Sequence, residues 1–200
     1  MEFLCCYTQS KVPLEVPLSV VVVGDPGCGK TSLIYRFSRG RLPQADEMAT
    51  AANLDTDCLD IVHSHRQVKL TLFDTSGHED DAKIRALAYN QSDVIILCFS
   101  VDSPKALNTV SSEWAREVTY LNPGKPFILV GTKNDLRQAA STVPNLETCY
   151  VSHREGKKTK RNIGASAFFE FSATDPDSVQ MAKRIFGRAI REGLKSSWRI

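Results

Sequence analysis

Eight consecutive residues, Gly24-Asp25-Pro26-Gly27-Cys28-Gly29-Lys30-Thr31, carry the pattern Gly-x-x-x-x-Gly-Lys-Thr. The glycines let backbone N–H groups turn inward around a phosphate. Lys30 sets a point charge on the outer phosphates, and the Thr31 hydroxyl can reach Mg²⁺. Such a loop also hands the phosphate to the N-terminus of the next helix. By residue frequencies a chance match in a chain of this length is on the order of one in a hundred. Three weaker loops accompany it. Phe73-Asp74-Thr75-Ser76-Gly77 offers Asp74 to a metal's hydration shell and the Gly77 N–H to a terminal phosphate. Gly131-Thr132-Lys133-Asn134-Asp135 holds a carboxylate, Asp135, that can accept from the N1–H and the 2-amino group of guanine. Adenine has no such pair, so this chemistry selects GTP over ATP, with Lys133 along the base plane. Phe171-Ser172-Ala173-Thr174 offers a backbone N–H to the guanine carbonyl, and by itself it carries almost no signal.

The elements that must position these loops can be read from the apolar pattern. Ser19–Val23 is a β-branched run ending at Gly24 and reads as a buried strand. Cys58–Val62 and Val68–Phe73 read as two strands joined by the polar stretch 63–67. Val94–Ser100, Phe127–Gly131 and Ala167–Phe171 read as three more. Leu33, Ile34 and Phe37 suit a helix over Lys30–Ser38. Ser103-Pro104 opens a helix whose inner face includes Trp114, Val118 and Leu121 and which stops before Pro123-Gly124. Asp175-Pro176 opens a last helix with Val179, Ala182, Phe186, Ala189 and Ile190 inside and Gly193 closing it. Strands alternating with helices imply β-α-β units, a mostly parallel sheet covered on both faces, and right-handed crossovers. Ligands of such sheets bind beyond the carboxyl ends of the strands, where all four loops fall.

Composition narrows the class further. The 200 residues include 25 basic and 23 acidic ones, a net charge of +2 that gives no bulk attraction for nucleic acid. No apolar run approaches the ~18 residues of a membrane span, and the first ten residues lack the basic-then-apolar order of a secretory signal. The six cysteines form no C-x-x-C pair and no zinc spacing, as in a reduced cytosolic protein. Cys5 and Cys6 are adjacent, a candidate site for S-acylation. Cys28 beside Lys30 has the setting of a thiol with lowered pKa, against a plain packing role. The sequence divides into a lead-in over 1–17, a domain over 18–193 and a tail over 194–200.

Four motifs after strands, in this order, resemble the Ras superfamily of small GTPases, and the Rho family most. Gly24-Asp25-x-x-Cys28-Gly29-Lys30-Thr31, the run Asp93–Pro104 and Ile128–Arg137 carry the likeness, together with Ile163-Gly164-Ala165. It covers about residues 18–192. It implies an α/β P-loop NTPase fold: a doubly wound, six-stranded, mostly parallel sheet flanked by about five helices, with a Rho-type insert within 138–165. It implies GTP or GDP as ligand and Mg²⁺ as cofactor, the metal held by Thr31 and Asp74. Ser32 and Leu136 join the nucleotide-binding positions by the same likeness. Effector, exchange-factor and activating proteins are the implied partners, through the switch loops, in cytoskeletal or membrane signalling. Localisation is expected in the cytoplasm, with peripheral membrane association a further option.

The departures bear on catalysis. The family's glutamine, which orients the attacking water, is replaced by His78, whose imidazole lacks the amide's paired donor and acceptor. Lys30 remains to neutralise charge. Pro26 stands where the family has glycine, crowding the γ-phosphate and any arginine finger. The family's base-packing aromatic falls on Leu42, and its Mg²⁺-binding threonine on Ala52 or Thr50, depending on the count. Phe73–Gly77 is also similar to the Rnd branch, whose members hydrolyse GTP poorly. No cysteine follows Cys149, so the chain is either a truncated product or not prenylated. The basic residues of the last helix and tail and the cluster Arg154–Arg161 read as solvated surface, with attraction to an anionic membrane as the alternative for each. Two functions stay open: a GTPase of weak activity, and a non-catalytic adaptor holding GTP or nothing. A P-loop kinase is disfavoured, since it would need a second substrate site and a lid and the guanine motif has no role there.

Overall fold

The computed structural model describes residues 15–45, 47, 55–140 and 150–196. Six strands, β1 (Val16–Gly24), β2 (Asp55–His63), β3 (Arg66–Asp74), β4 (Val94–Ser100), β5 (Phe127–Thr132) and β6 (Phe168–Phe171), form one sheet in the order β2-β3-β1-β4-β5-β6. Only β2 runs antiparallel to its neighbour. Six helices cover the sheet among the described residues. They are α1 (Lys30–Ser38), α2 (Ala82–Gln91), α3, α4 (Asn134–Ala140), α5 (His153–Ile163) and α6 (Ser178–Ser196). The third is α-helical over Pro104–Thr109, widens to a π turn over Val110–Trp114, and returns to α over Ala115–Leu121. Ser103 caps it by accepting from the Ala106 N–H, with proline at the first turn.

The valine run of β1 follows from burial on both faces. Val20 and Val22 join the core under α1 and α6, and Val21 and Val23 join the core under α2 and α3. β1 starts three residues before Ser19 and includes Pro17. From Val16 to Ser19 it pairs only with β3, and β4 joins at Val20. Pro17 therefore lies where one side of the strand has no ladder partner, and its missing N–H costs nothing there. β2 and β3 also exceed the sequence reading. Their nine-residue ladder closes through Ser64-His65, both at positive φ (49° and 63°). A two-residue turn of this kind usually announces itself through Asn-Gly or Asp-Gly, and that signal is absent here.

Two helices escaped the sequence reading. α2 and α4 are short, and α2 buries only Arg85, Ala88 and Tyr89. One terminus is corrected: Gly193 does not close the last helix, which runs on to Ser196. Gly193 is buried, and a Cβ there would stand 2.8 Å from Leu18 Cδ1, so the glycine permits close approach of α6 to the sheet. The expected insert is helical over its second part, α5, while 141–149 lie outside the described residues.

α5 packs on β6 equally closely. A Cβ on Gly156 would lie 2.2 Å from Phe168 Cζ. Gly156→Ala improves helix propensity by up to ~1 kcal/mol but forces the ring aside, a strain of ~1–3 kcal/mol. Urea unfolding should show a less stable protein; a gain in stability would mean that the ring yields freely.

Candidate functional site

The phosphate-loop residues occupy the turn between β1 and α1 at the carboxyl edge of the sheet. A cleft of about 410 Å³ is lined by Pro26, Gly27, Gly29, Lys30, Thr31, Ser32, Thr75, Ser76, Gly77, His78 and Lys133. Three of the four predicted loops thus meet in one space. Lys30 is buried, and its Nζ donates to the Gly24 and Asp25 carbonyls at 2.9 Å each. An ammonium has three N–H donors, so one is left to face the cleft. Gly77 touches the loop directly. A Cβ there would stand 2.3 Å from the Gly24 carbonyl oxygen and 2.5 Å from the Pro26 nitrogen. Only glycine lets β3's following segment lie this close.

Asp74 ends β3 opposite Val22 and is 5% exposed. Its Oδ1 is buried with no hydrogen-bond partner among the described residues. Burial pushes the carboxyl up to about 6, against the hydrogen bond from Thr31 and the charge of Lys30, while Asp55 and Asp57 add to the rise. A buried carboxylate oxygen left open beside a threonine hydroxyl suits a hard divalent cation, which prefers oxygen ligands. The expected pair Thr31 and Asp74 therefore fits Mg²⁺.

The base-recognition loops are brought together by the sheet register. Thr132 pairs with Phe171 in the β5–β6 ladder, so the segments after them emerge side by side. The Thr132 hydroxyl donates to the Cys28 carbonyl and lies 3.0 Å from that of Phe99, tying this loop to the phosphate loop. Lys133 takes a left-handed φ of 57°, lines the cleft, and pairs with Asp102 at 3.6 Å. Ser172 and Thr174 join hydroxyls at 2.9 Å, and the Ala173 carbonyl accepts from Arg36 Nε of α1 at 2.8 Å. Asp135, Leu136 and Ser172–Thr174 lie beside the cleft's Lys133 end without lining it.

Several expected residues have other work in this structure. The Thr75 hydroxyl donates to the Val22 carbonyl at 2.8 Å, so it braces the sheet. The Asp25 carboxylate accepts from the Trp114 indole at 2.6 Å and points to α3, while its carbonyl accepts from Lys30. Cys28 is buried, and burial raises its thiol pKa despite Lys30. Of the two readings of Cys28 the packing role fits and the lowered pKa does not, because desolvation of the thiolate outweighs a single cation. Pro26 and His78 are exposed at the cleft rim. Leu42 is also exposed, whereas Thr50 and Ala52, the alternatives for the missing threonine, lie outside the described residues.

Sequence reasoning missed a buried clamp. Arg85 of α2 pairs with Glu117 of α3 at 2.8 and 3.1 Å, and donates to the carbonyls of Ser76 (3.1 Å) and His78 (2.8 Å). Its guanidinium also lies over the Trp114 ring at 4.8 Å. One cation thus joins two helices to the segment carrying His78, while Trp114 connects that group to the phosphate loop. Partners 32 residues apart leave no local trace in the chain.

A family model described as the Ras family matches residues 19–193. The chain is 38% identical over 186 residues to GTP-binding protein RHO1 of Candida albicans, covering 92% of this chain and 91% of that one.

Two outcomes follow from these groups. A carboxyl pKa raised from its ordinary value to about 6 gives stability that is full below about pH 4 and lost as pH rises through 6. The metal-free, nucleotide-free protein should therefore lose about 2 kcal/mol between pH 4 and pH 6 through Asp74. Asp74→Asn should remove that part of the pH dependence in denaturant titrations. Glu117→Gln leaves the buried Arg85 short of a countercharge and should cost ~1–3 kcal/mol. Hydrogen exchange should also quicken over residues 76–79; unchanged exchange there would mean that Arg85 does not hold the segment.

Proposed function

The chain belongs to the Ras family of small GTP-binding proteins, in its Rho branch, and we propose that it holds GTP or GDP with Mg²⁺ in the cleft as a signalling switch and hydrolyses GTP slowly. The observation that carries this reading is the open, buried Asp74 oxygen beside Thr31, with Thr31 and Lys30 both lining the cleft. Thr31 and Asp74 would hold the metal, which when bound neutralises charge on the outer phosphates and orients them. Gly27, Gly29 and the phosphate-loop amides would cradle those phosphates. Lys30 would offset the charge that develops as water attacks the γ-phosphorus in line. Asp135 would accept from guanine N1–H and the 2-amino group, with Lys133 along the base and the 172–174 backbone at its carbonyl.

His78 is the reason to expect slow turnover. Its backbone is held, the N–H by the Ser76 hydroxyl at 3.2 Å and the carbonyl by Arg85. Only the exposed imidazole is free to move, and it cannot engage water and phosphate as a carboxamide can. Pro26 at the same rim narrows the approach for an activating protein's arginine. Effectors and regulators would read the segments around 40–56 and 76–91. These features equally support the second reading, a non-catalytic adaptor that stays loaded with GTP or takes no nucleotide.

Nucleotide released from the purified protein and separated by anion exchange divides the readings. Mostly GTP indicates tight binding with little turnover, mostly GDP indicates a working timer, and an empty cleft favours the adaptor. His78→Gln should raise the single-turnover rate by about tenfold or more, because it restores a water-orienting amide. An unchanged rate would remove His78 as the cause.

A further inference from the structure

The most basic element of the fold lies away from the cleft. α5 reads His-Arg-Glu-Gly-Lys-Lys-Thr-Lys-Arg-Asn-Ile, with five lysines and arginines and a single acid. Arg154, Lys157, Lys158 and Arg161 are all exposed. At 100° per residue they fall within an arc of about 100°. The buried residues, Gly156 and Thr159, lie on the opposite side of the helix. No acidic side chain pairs with any of the four among the described residues. Glu155 is turned back to the N-terminus, where its carboxylate accepts from the Ser152 N–H (2.8 Å) and hydroxyl (2.7 Å).

This arrangement works against the helix that carries it. Arg154–Lys158 and Lys157–Arg161 are like-charged i,i+4 pairs, and Arg154–Lys157 and Lys158–Arg161 are like-charged i,i+3 pairs; each such contact is destabilising. Arg154 also sits in the first turn, at the end of the helix dipole that repels cations. The helix is kept in place by its capping box and by the close seat of Gly156 on Phe168. A rigid helix thus presents a charge stripe that its own stability opposes.

We propose that this face of α5 docks on the anionic headgroups of a lipid bilayer. Charge complementarity selects the partner class. Four cations in one stripe about 10 Å long meet a flat, diffuse negative surface without needing a pocket. None of the four lines either of the cavities beside the phosphate loop, so a buried phosphate-binding pocket is not built here. The stripe carries no aromatic side chain for stacking on bases, and the chain's net charge is only +2, which disfavours a nucleic acid. The proposal stands independently of whether GTP is hydrolysed.

The test is co-sedimentation of the full chain with vesicles of phosphatidylcholine alone and of phosphatidylcholine mixed with phosphatidylserine. Binding is expected only to the mixed vesicles and should weaken as salt is raised. Each cation near the surface contributes about fivefold to partitioning. Arg154→Gln, Lys157→Gln, Lys158→Gln and Arg161→Gln together should abolish sedimentation, while thermal unfolding stays level or moves upward as repulsion is relieved. That thermal readout separates lost docking from lost folding. Lys183→Gln with Arg184→Gln, exposed on α6, should leave binding intact. The proposal is overturned if the wild type ignores the mixed vesicles, or binds both kinds alike. It is equally overturned if the fourfold variant still sediments, if the α6 pair matters as much, or if the stripe instead retains single-stranded RNA.

Discussion

A parallel strand must be followed by a crossover before the chain can pair again, and in this sheet that requirement sets where every working loop emerges. Val22 pairs with Asp74, Gly24 with Cys98, Ser100 with Thr132, and Thr132 with Phe171. The strands therefore end nearly flush, and four segments distant in sequence leave from one edge. Side chains then join the segments. Thr132 reaches the carbonyl of Cys28, Arg36 reaches that of Ala173, and Gly77 lies against the turn after β1. If this register slipped, the phosphate loop would survive as a motif but would face nothing.

On that edge the protein holds charges at an energetic disadvantage. Asp74 is buried with an open oxygen, and Lys30 is buried against the Gly24 and Asp25 carbonyls. Burial disfavours the ionised carboxylate, and this is why its pKa rises. The proposed ligands, a metal cation and phosphates, would bring compensating charges of both signs. The same logic explains the inert Cys28. With no ligand-like partner and no route to water, its thiol is held neutral and packs as a small apolar side chain.

The segment after Asp74 is governed from outside the cleft. Arg85 binds its carbonyls and is itself held by Glu117 and the Trp114 ring. The π turn in α3 ends at Trp114, which also reaches Asp25. A change at α3 can thus reach both the phosphate loop and the His78 segment through three side chains. At the far end of the sheet a second latch does similar work. Arg137 grips Glu170 at 2.6 and 2.8 Å and the Val151 carbonyl at 2.7 Å, drawing together the two ends of the insert that includes 141–149. α5 owes its fixed position to the same neighbourhood, where Val151 donates to the Val101 carbonyl.

What the sequence determined by itself was local chemistry and periodicity. Gly24–Thr31 needs its residues contiguous, so the phosphate loop was legible, and the valine run and alternating elements implied a parallel sheet with loops at its carboxyl edge. The strand cores and the inner face of α3 at Trp114 and Val118 were readable for the same reason: short-range spacing decides which face is buried. Tertiary structure decided what depends on distant partners. It placed Pro17 inside a strand because β4 pairs only from Val20 onward, and kept Gly193 inside a helix because Leu18 lies against it. It also turned Asp25 toward Trp114 and made Arg85 the clamp of the His78 segment. Those contacts span from 7 positions, for Arg85 and His78, to 175, for Leu18 and Gly193, and most of them are set by packing between elements, which no local pattern encodes.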